Sequence, residues 1–253
     1  MDFYRFKCFI KYSNLLHAVT NKLMNFPYDF SMALHTGENK EEIIENRNVI
    51  ASFLKSDKDL HFIVANQTHS DHIKIISRKE TKGWDKLEDA IEDCDALITN
   101  EKDVVLTILT ADCVPVLLYD NEKKVIGAVH AGWKGTKAKI VAKTVKKMNE
   151  IYGCEPENIM AGIAPSIGSC CYEVGKEVAK HFFDTPDGFR SVGEKYMLDL
   201  PFINKKQLLD VGLKEGNIEM SDVCTACEVD RYFSYRKEKG CSGRFMSMVG
   251  MVD

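Results

Sequence analysis

Two rhythms of apolar and polar positions run along this chain, and most of its elements can be read from them. Over residues 39–54, Ile43, Ile44, Ile50, Phe53 and Leu54 recur near helical spacing with acidic residues in the early turns, predicting a surface helix that carries Arg47. Residues 62–65 predict a short strand running into Asn66-Gln67-Thr68-His69. Residues 104–109 predict another, running into Thr110-Ala111-Asp112-Cys113. Both strands end in polar clusters. The segments VPVLLYD and VIGAVH then flank the polar tetrapeptide NEKK, the pattern of an antiparallel hairpin. With the turn centred on Asn121 and Glu122, Cys113 faces His130, and directly opposed Cβ atoms lie about 4.5–5.5 Å apart.

After His130 the sequence Ala-Gly-Trp-Lys-Gly predicts a sharp turn, with Thr136 as N-cap of a helix whose stripe is Ala138, Val141, Val145 and Met148 and whose end is near Gly153. Such a helix start beside His130 would offer free N–H groups and a positive dipole to an anion. Downstream, residues 159–164 predict a strand, 165–169 a turn, 173–183 a helix, 185–193 a loop and 204–211 a helix. Residues 233–236 and 244–251 predict closing strands. No internal repeat or low-complexity tract interrupts this order.

Composition narrows the class. A chain of 253 residues without a Pro-, Gly- or Ser-rich linker is expected to form one domain over residues 1–253. Its 45% hydrophobic content excludes a disordered chain. The 34 basic residues are scattered against 38 acidic ones, so no basic face for nucleic acid is expected, and the dense stretch 134–147 reads as the solvent side of a helix. Asp2, Arg5, Lys7 and Lys11 interrupt the N-terminal apolar residues, which argues against a signal peptide or membrane span and makes cytoplasm the expected location. Nine cysteines are an odd number for a disulfide framework, so free thiols or metal ligands are expected.

His69, Cys113 and His130 supply two imidazoles and a thiolate from three separate strand ends. Three dispersed ligands leave a fourth position for water or substrate, the arrangement of a catalytic rather than a structural zinc. Taken singly, each residue also fits a buried histidine or a packed thiol. Cys224-Thr-Ala-Cys227 has zinc-knuckle spacing and could combine with Cys170-Cys171 in a structural zinc site; neighbouring Cys170 and Cys171 are expected to diverge, so packed thiols are the leading expectation there and the zinc the alternative. Asp112 suits a carboxylate that orients a histidine, a proton carrier or a turn cap. Arg47, Arg236 and Arg244 suit an anion, because a planar guanidinium matches phosphate oxygens; each also suits a solvated surface.

Glu45-Asn46-Arg47, Gln67-x-His69, TADCVPVLL at 110–118, AVHAGWKGT at 128–136, APSIGSCCYEVG at 164–175 and FSYR at 233–236 resemble the laccase-domain family. It is also called the multicopper polyphenol oxidase family, and its members are often described as zinc-dependent purine nucleoside phosphorylases. The resemblance covers nearly the whole chain. It implies a complex α+β fold with mixed sheets layered between helices, and zinc on His69, Cys113 and His130. Asp112 joins these three as a catalytic residue, and Arg47, Gln67, Arg236 and Arg244 are implied to bind substrate.

The implied partners are phosphate and a purine nucleoside: adenosine, inosine, guanosine or S-methyl-5′-thioadenosine. Adenosine deamination and editing of peptidoglycan precursors are attributed to similar proteins. Copper laccase activity is the weaker reading, because the chain has seven histidines and no His-x-His pair. Lys22 stands where the family often has arginine, Ser31 for asparagine, Ser70 for glycine and Ala164 for glycine. A lysine at position 22 gives up a bidentate fork, which would alter anion binding. Nothing in the sequence separates monomer from homodimer.

Overall fold

The computed structural model describes residues 1–54, 59–240 and 243–253. Its fold is α+β. Four strands form one mixed sheet in the order β1 (Leu15–Val19), β13 (Phe245–Met251), β5 (Val104–Thr110) and β2 (His61–Val64), with only β2 and β5 parallel. Six strands form the second, in the order β12 (Ile218–Met220), β8 (Ile159–Ile163), β6 (Val114–Asp120), β7 (Val125–Ala131), β4 (Ala96–Thr99) and β3 (Ile73–Ile75). Its two edge pairs, β12–β8 and β3–β4, are parallel and its centre is antiparallel. A small antiparallel sheet joins β10 (Phe189–Val192), β11 (Lys195–Leu198) and β9 (Glu173–Val174).

Period-two alternation explains how the central strands serve two cores at once. Leu106 and Ile108 of β5 meet Leu117 and Tyr119 of β6 and Ile126 and Ala128 of β7 in a core between the two large sheets. Val105 and Leu109 of β5 point the other way, toward Ile50 of α2 (Lys40–Phe53), which follows the single-turn α1 (Lys7–Ile10) in the chain. Val116 and Leu118 of β6 pack with α4 (Ile140–Tyr152) and α6 (Leu200–Asp210) on the opposite face of the six-stranded sheet. Strands covered on both faces are buried at every position, which is why their sequences are continuous apolar runs. Among the described residues no helix is long and apolar enough to cross a membrane.

Local chemistry accounts for the departures from the expected elements. In the hairpin Pro115, not Cys113, faces His130. The Asp120 carboxylate accepts from the amides of Glu122 and Lys123, both at 2.9 Å, and Lys124 turns left-handed at φ 54°. The loop is therefore the four residues Asn121 to Lys124, and the pairing shifts by two. Thr136 is not an N-cap. It lies inside α3 (Trp133–Lys137), where its hydroxyl accepts from Asn204 of α6, and a left-handed Lys139 separates this single turn from α4. The helix start beside His130 is thus at Gly132 and only five residues long.

Residues 173–183 divide into β9, α5 (Lys176–Ala179) and a 3-10 turn, and the expected loop at 185–193 contains β10. Asp199 accepts from Phe202 N and starts α6 four residues early, with Pro201 in its first turn. Residues 233–236 are loop and turn rather than strand. The helix at residues 39–54 forms as α2, capped by Asn39 accepting from Glu42 N, but Arg47 is on its buried face.

Candidate active site

The ends of β2, β5 and β7 meet where the chain crosses from one large sheet to the other, and a buried carboxylate that sequence reasoning missed organises the junction. Asp95 precedes β4 and is fully buried. Its side chain accepts from the amides of His69 (3.1 Å) and Ser70 (2.6 Å), from the Ser70 hydroxyl (2.7 Å) and from His130 Nδ1 (2.6 Å), while its carbonyl accepts from His130 N at 2.7 Å. These bonds hold His69 in a left-handed conformation at φ 60°, which a non-glycine residue keeps only when its surroundings enforce it. Donation from Nδ1 leaves Nε2 of His130 as the basic nitrogen turned to the site. Burial pushes the Asp95 carboxyl up, but the bonds from His130 and Ser70 outweigh it and bring it down to about 2.

Asp112 performs the matching task for Cys113. It sits at φ 88°, its carboxylate accepts from Thr225 Oγ1 and Arg236 N, each at 2.7 Å, and its carbonyl accepts from Ile167 N. The carboxylate that orients a histidine is therefore Asp95; Asp112 pins the turn that presents Cys113.

The outcome is one cluster. Cys113 Sγ lies 3.7 Å from His69 Nε2, the two imidazole centroids are 4.8 Å apart at 77°, and one ligand atom from each residue falls within 4.8 Å of the others. Nitrogen and sulfur bound to one tetrahedral zinc would be about 3.6 Å apart, given bonds of about 2.0–2.1 and 2.3 Å. Gly132 completes the cradle: a Cβ there would stand 3.0 Å from His69 Cδ2 and 3.1 Å from Cys113 Sγ. Burial raises the Cys113 thiol, yet His130 and His69 bring it down to about 6. Burial lowers His130, yet Cys113 and Asp95 raise it to about 9. The donor set and its spacing fit a zinc-type ion.

The three residues line a cavity of about 570 Å³. Leu34, Val64, Trp133, Tyr172 and Tyr235 give it an apolar and aromatic wall. Arg236 and Arg244 bring positive charge to it. The Arg236 guanidinium lies 5.1 Å over the Tyr172 ring and donates to Glu173 O, and Arg244 lies 5.8 Å from the Tyr235 ring and donates to Gly243 O. The Thr110 hydroxyl also lines the cavity and is buried without a hydrogen-bond partner among the described residues.

Two of the expected substrate residues, Arg47 and Gln67, line this cavity and also hold its walls. Arg47 is 1% exposed rather than on a surface, and four of its N–H bonds go to the carbonyls of Met32, Gly83 and Trp84. The Gln67 amide donates to Leu109 O and accepts from Leu109 N, so it extends the end of β5 like a short strand. Lys22 pairs with Glu238 at 2.8 Å beneath Phe233 and is not among the residues that line the cavity. The four thiols of Cys170, Cys171, Cys224 and Cys227 converge, contrary to the expected divergence. Of the residues missed, Asp95 left one signal, an acidic residue directly before the apolar run ALIT.

The family model described as multi-copper polyphenol oxidoreductase laccase matches residues 20–252. Purine nucleoside phosphorylase YlmD of Bacillus subtilis is 35% identical over 226 residues, 87% of this chain and 81% of the relative. A protein of an unknown prokaryotic organism named adenosine deaminase RL5 is 31% identical over 217 residues, 83% of this chain and 82% of the relative. The crystal structure of YlmD from Geobacillus stearothermophilus superposes with a TM-score of 0.91 at 28% identity, covering 98% of this chain and 94% of that one.

Proposed function

We propose that this chain, which belongs to the family described as multi-copper polyphenol oxidoreductase laccase, is a zinc-dependent purine nucleoside phosphorylase acting as one domain over residues 1–253. The names of its relatives support an enzyme of nucleoside metabolism. The observation that carries the reading is the cavity itself: three ligand atoms within 4.8 Å, drawn from three strand ends, lie beside two arginines in a space suited to a nucleoside. His69, Cys113 and His130 would hold zinc, and the ion, when bound, would supply Lewis-acid positive charge next to the reacting sugar. Two imidazoles and one thiolate suit zinc better than the several histidine-rich centres of a copper oxidase.

In phosphorolysis a phosphate oxygen bonds to the ribose C1′ while the C1′–N9 bond breaks, and the purine leaves with that electron pair and takes up a proton. The products are free base and ribose 1-phosphate. Breakage has oxocarbenium character, so fixed charge near C1′ contributes more than a strong base. Arg236 and Arg244 hold the phosphate against the sugar, a task that the single turn of α3 does not share. Arg47 and Gln67 keep the walls in place, and Asp112 keeps both Cys113 and the Arg236 main chain in position. A cytoplasmic setting fits cysteines that are all free thiols among the described residues.

A second reading is adenosine deamination, favoured by the relative of that name. Zinc-loaded protein given adenosine or inosine, with and without phosphate, distinguishes the two by product mass. Free base with ribose 1-phosphate, formed only with phosphate, is the expected result. Inosine and ammonia from adenosine regardless of phosphate would replace the proposal with deamination. No reaction of any nucleoside, together with zinc-dependent cleavage of a muramyl-peptide precursor, would replace it with an editing hydrolase.

A further inference from the structure

We propose a second metal site, a mononuclear structural zinc held by the thiolates of Cys170, Cys171, Cys224 and Cys227. The four sulfur atoms lie within 4.8 Å of one another, with Cys227 Sγ 3.5 Å from Cys170 Sγ and 3.4 Å from Cys171 Sγ. In a tetrahedron with zinc–sulfur bonds of about 2.3 Å, neighbouring sulfurs stand about 3.8 Å apart, so a small contraction or expansion seats the ion. A two-iron cluster would spread thiolates on opposite irons further than this group allows.

The convergence of adjacent cysteines has a local cause. Cys171 N and Tyr172 N both donate to Gly168 O, so residues 168–172 coil into a turn. Successive side chains in such a turn diverge by about 100° rather than the 180° of a strand. On the other segment, Cys227 N and Glu228 N donate to Cys224 O, which brings the two knuckle sulfurs to one side. A ladder joins the segments: Ser166 pairs with Cys224, Ser166 N donates to Val223 O and Thr225 N donates to Ser166 O. Gly168 N also donates to Cys224 Sγ at 3.3 Å, a bond suited to a thiolate acceptor.

Packing does not explain the group, because a cysteine kept as a small apolar residue belongs in the core, and Cys170 and Cys227 are exposed. None of the four lines the catalytic cavity. The clamp nevertheless acts on it, since Ile167 and Thr225, one from each joined segment, both donate to Asp112. A closed site of four thiolates has no open position, so its role is to fasten these segments.

The test is zinc content of the full-length protein by native mass spectrometry, with cobalt(II) exchange as a second readout. Wild type should hold two zinc ions per chain, and Cys113→Ala and the double variant Cys224→Ser/Cys227→Ser one each. The strong sulfur-to-cobalt charge-transfer band of a four-thiolate site should survive Cys113→Ala and fall in the double variant to the weaker band of the single Cys113 thiolate. Should the double variant not fold, wild type and Cys113→Ala alone decide. One zinc in wild type and none in Cys113→Ala, or a disulfide among the four cysteines of zinc-loaded protein, would overturn the proposal. Neither result depends on which nucleoside reaction the cavity performs.

Discussion

The His69–Cys113–His130 cluster and the Cys170–Cys171–Cys224–Cys227 cluster use the same kind of donors but are supported differently. The first draws one ligand from each of three strand ends, lines a cavity, and rests on a buried carboxylate that touches both the His69 amide and the His130 ring. The second draws two ligands from each of two turns at the surface, supported by the backbone amides of Gly168 and Cys227 on Cys224 rather than by a buried carboxylate. Ligand number sets whether a coordination position stays open, and the surrounding hydrogen bonds set how firmly the ligands are aimed. A reacting centre needs both the opening and the aim, whereas a clamp needs only closure.

Replacing Asp95 with Asn should break this contrast with the largest effect. The amide would turn N–H groups toward amides already pointing at it, so a stability loss of about 3–5 kcal/mol by urea unfolding is expected. Loss of the carboxylate on His130 should also weaken zinc binding about 10–100-fold. Retention of wild-type zinc affinity would mean that the cavity ligands need no more support than the thiol cluster has.

Acid sharpens the same comparison. The folded Asp95 carboxyl lies near 2 against an ordinary 3.8, so its contribution is fully present above about pH 4 and is lost as pH falls through 2. The stability difference between wild type and Asp95→Asn should shrink by about 2 kcal/mol between pH 5 and pH 2. An unchanged difference over that range would show that the carboxyl is not held ionised by its partners.

Gly132→Ala is the smallest probe. Its Cβ would crowd His69 and Cys113 at 3.0–3.1 Å, so a loss of about 1–2 kcal/mol, with weaker zinc binding at the cavity only, is expected. Zinc content measured at both sites checks it, and equal loss from the thiol cluster would contradict the assignment.

The strands of the sheets' centre were legible because burial on both faces leaves continuous apolar runs such as 104–109 and 114–120. The three dispersed ligands were legible because each follows or ends such a run. Register was not: a single side chain, Asp120, displaced the turn by capping it. The burial of Arg47 was hidden because its partners are three main-chain carbonyls that no residue pattern marks. Asp95 stayed hidden for a related reason, since its value comes from contacts with residues about 25 and 35 positions away. The approach of Cys170 and Cys171 depended on turn geometry, which adjacency in sequence does not reveal.

The three-ligand cavity is tested most directly by the rate of ribose 1-phosphate formation from adenosine or inosine in wild type, Cys113→Ala and Cys224→Ser/Cys227→Ser, measured side by side at a temperature where circular dichroism shows all three folded. Cys113→Ala should lose at least about 100-fold in rate, the scale on which losing one electrostatic contributor to a transition state is felt. The double variant should keep its rate within a few-fold while melting at a lower temperature. Wild-type phosphorolysis in folded Cys113→Ala would contradict the claim that the three-ligand cavity is where the nucleoside reacts.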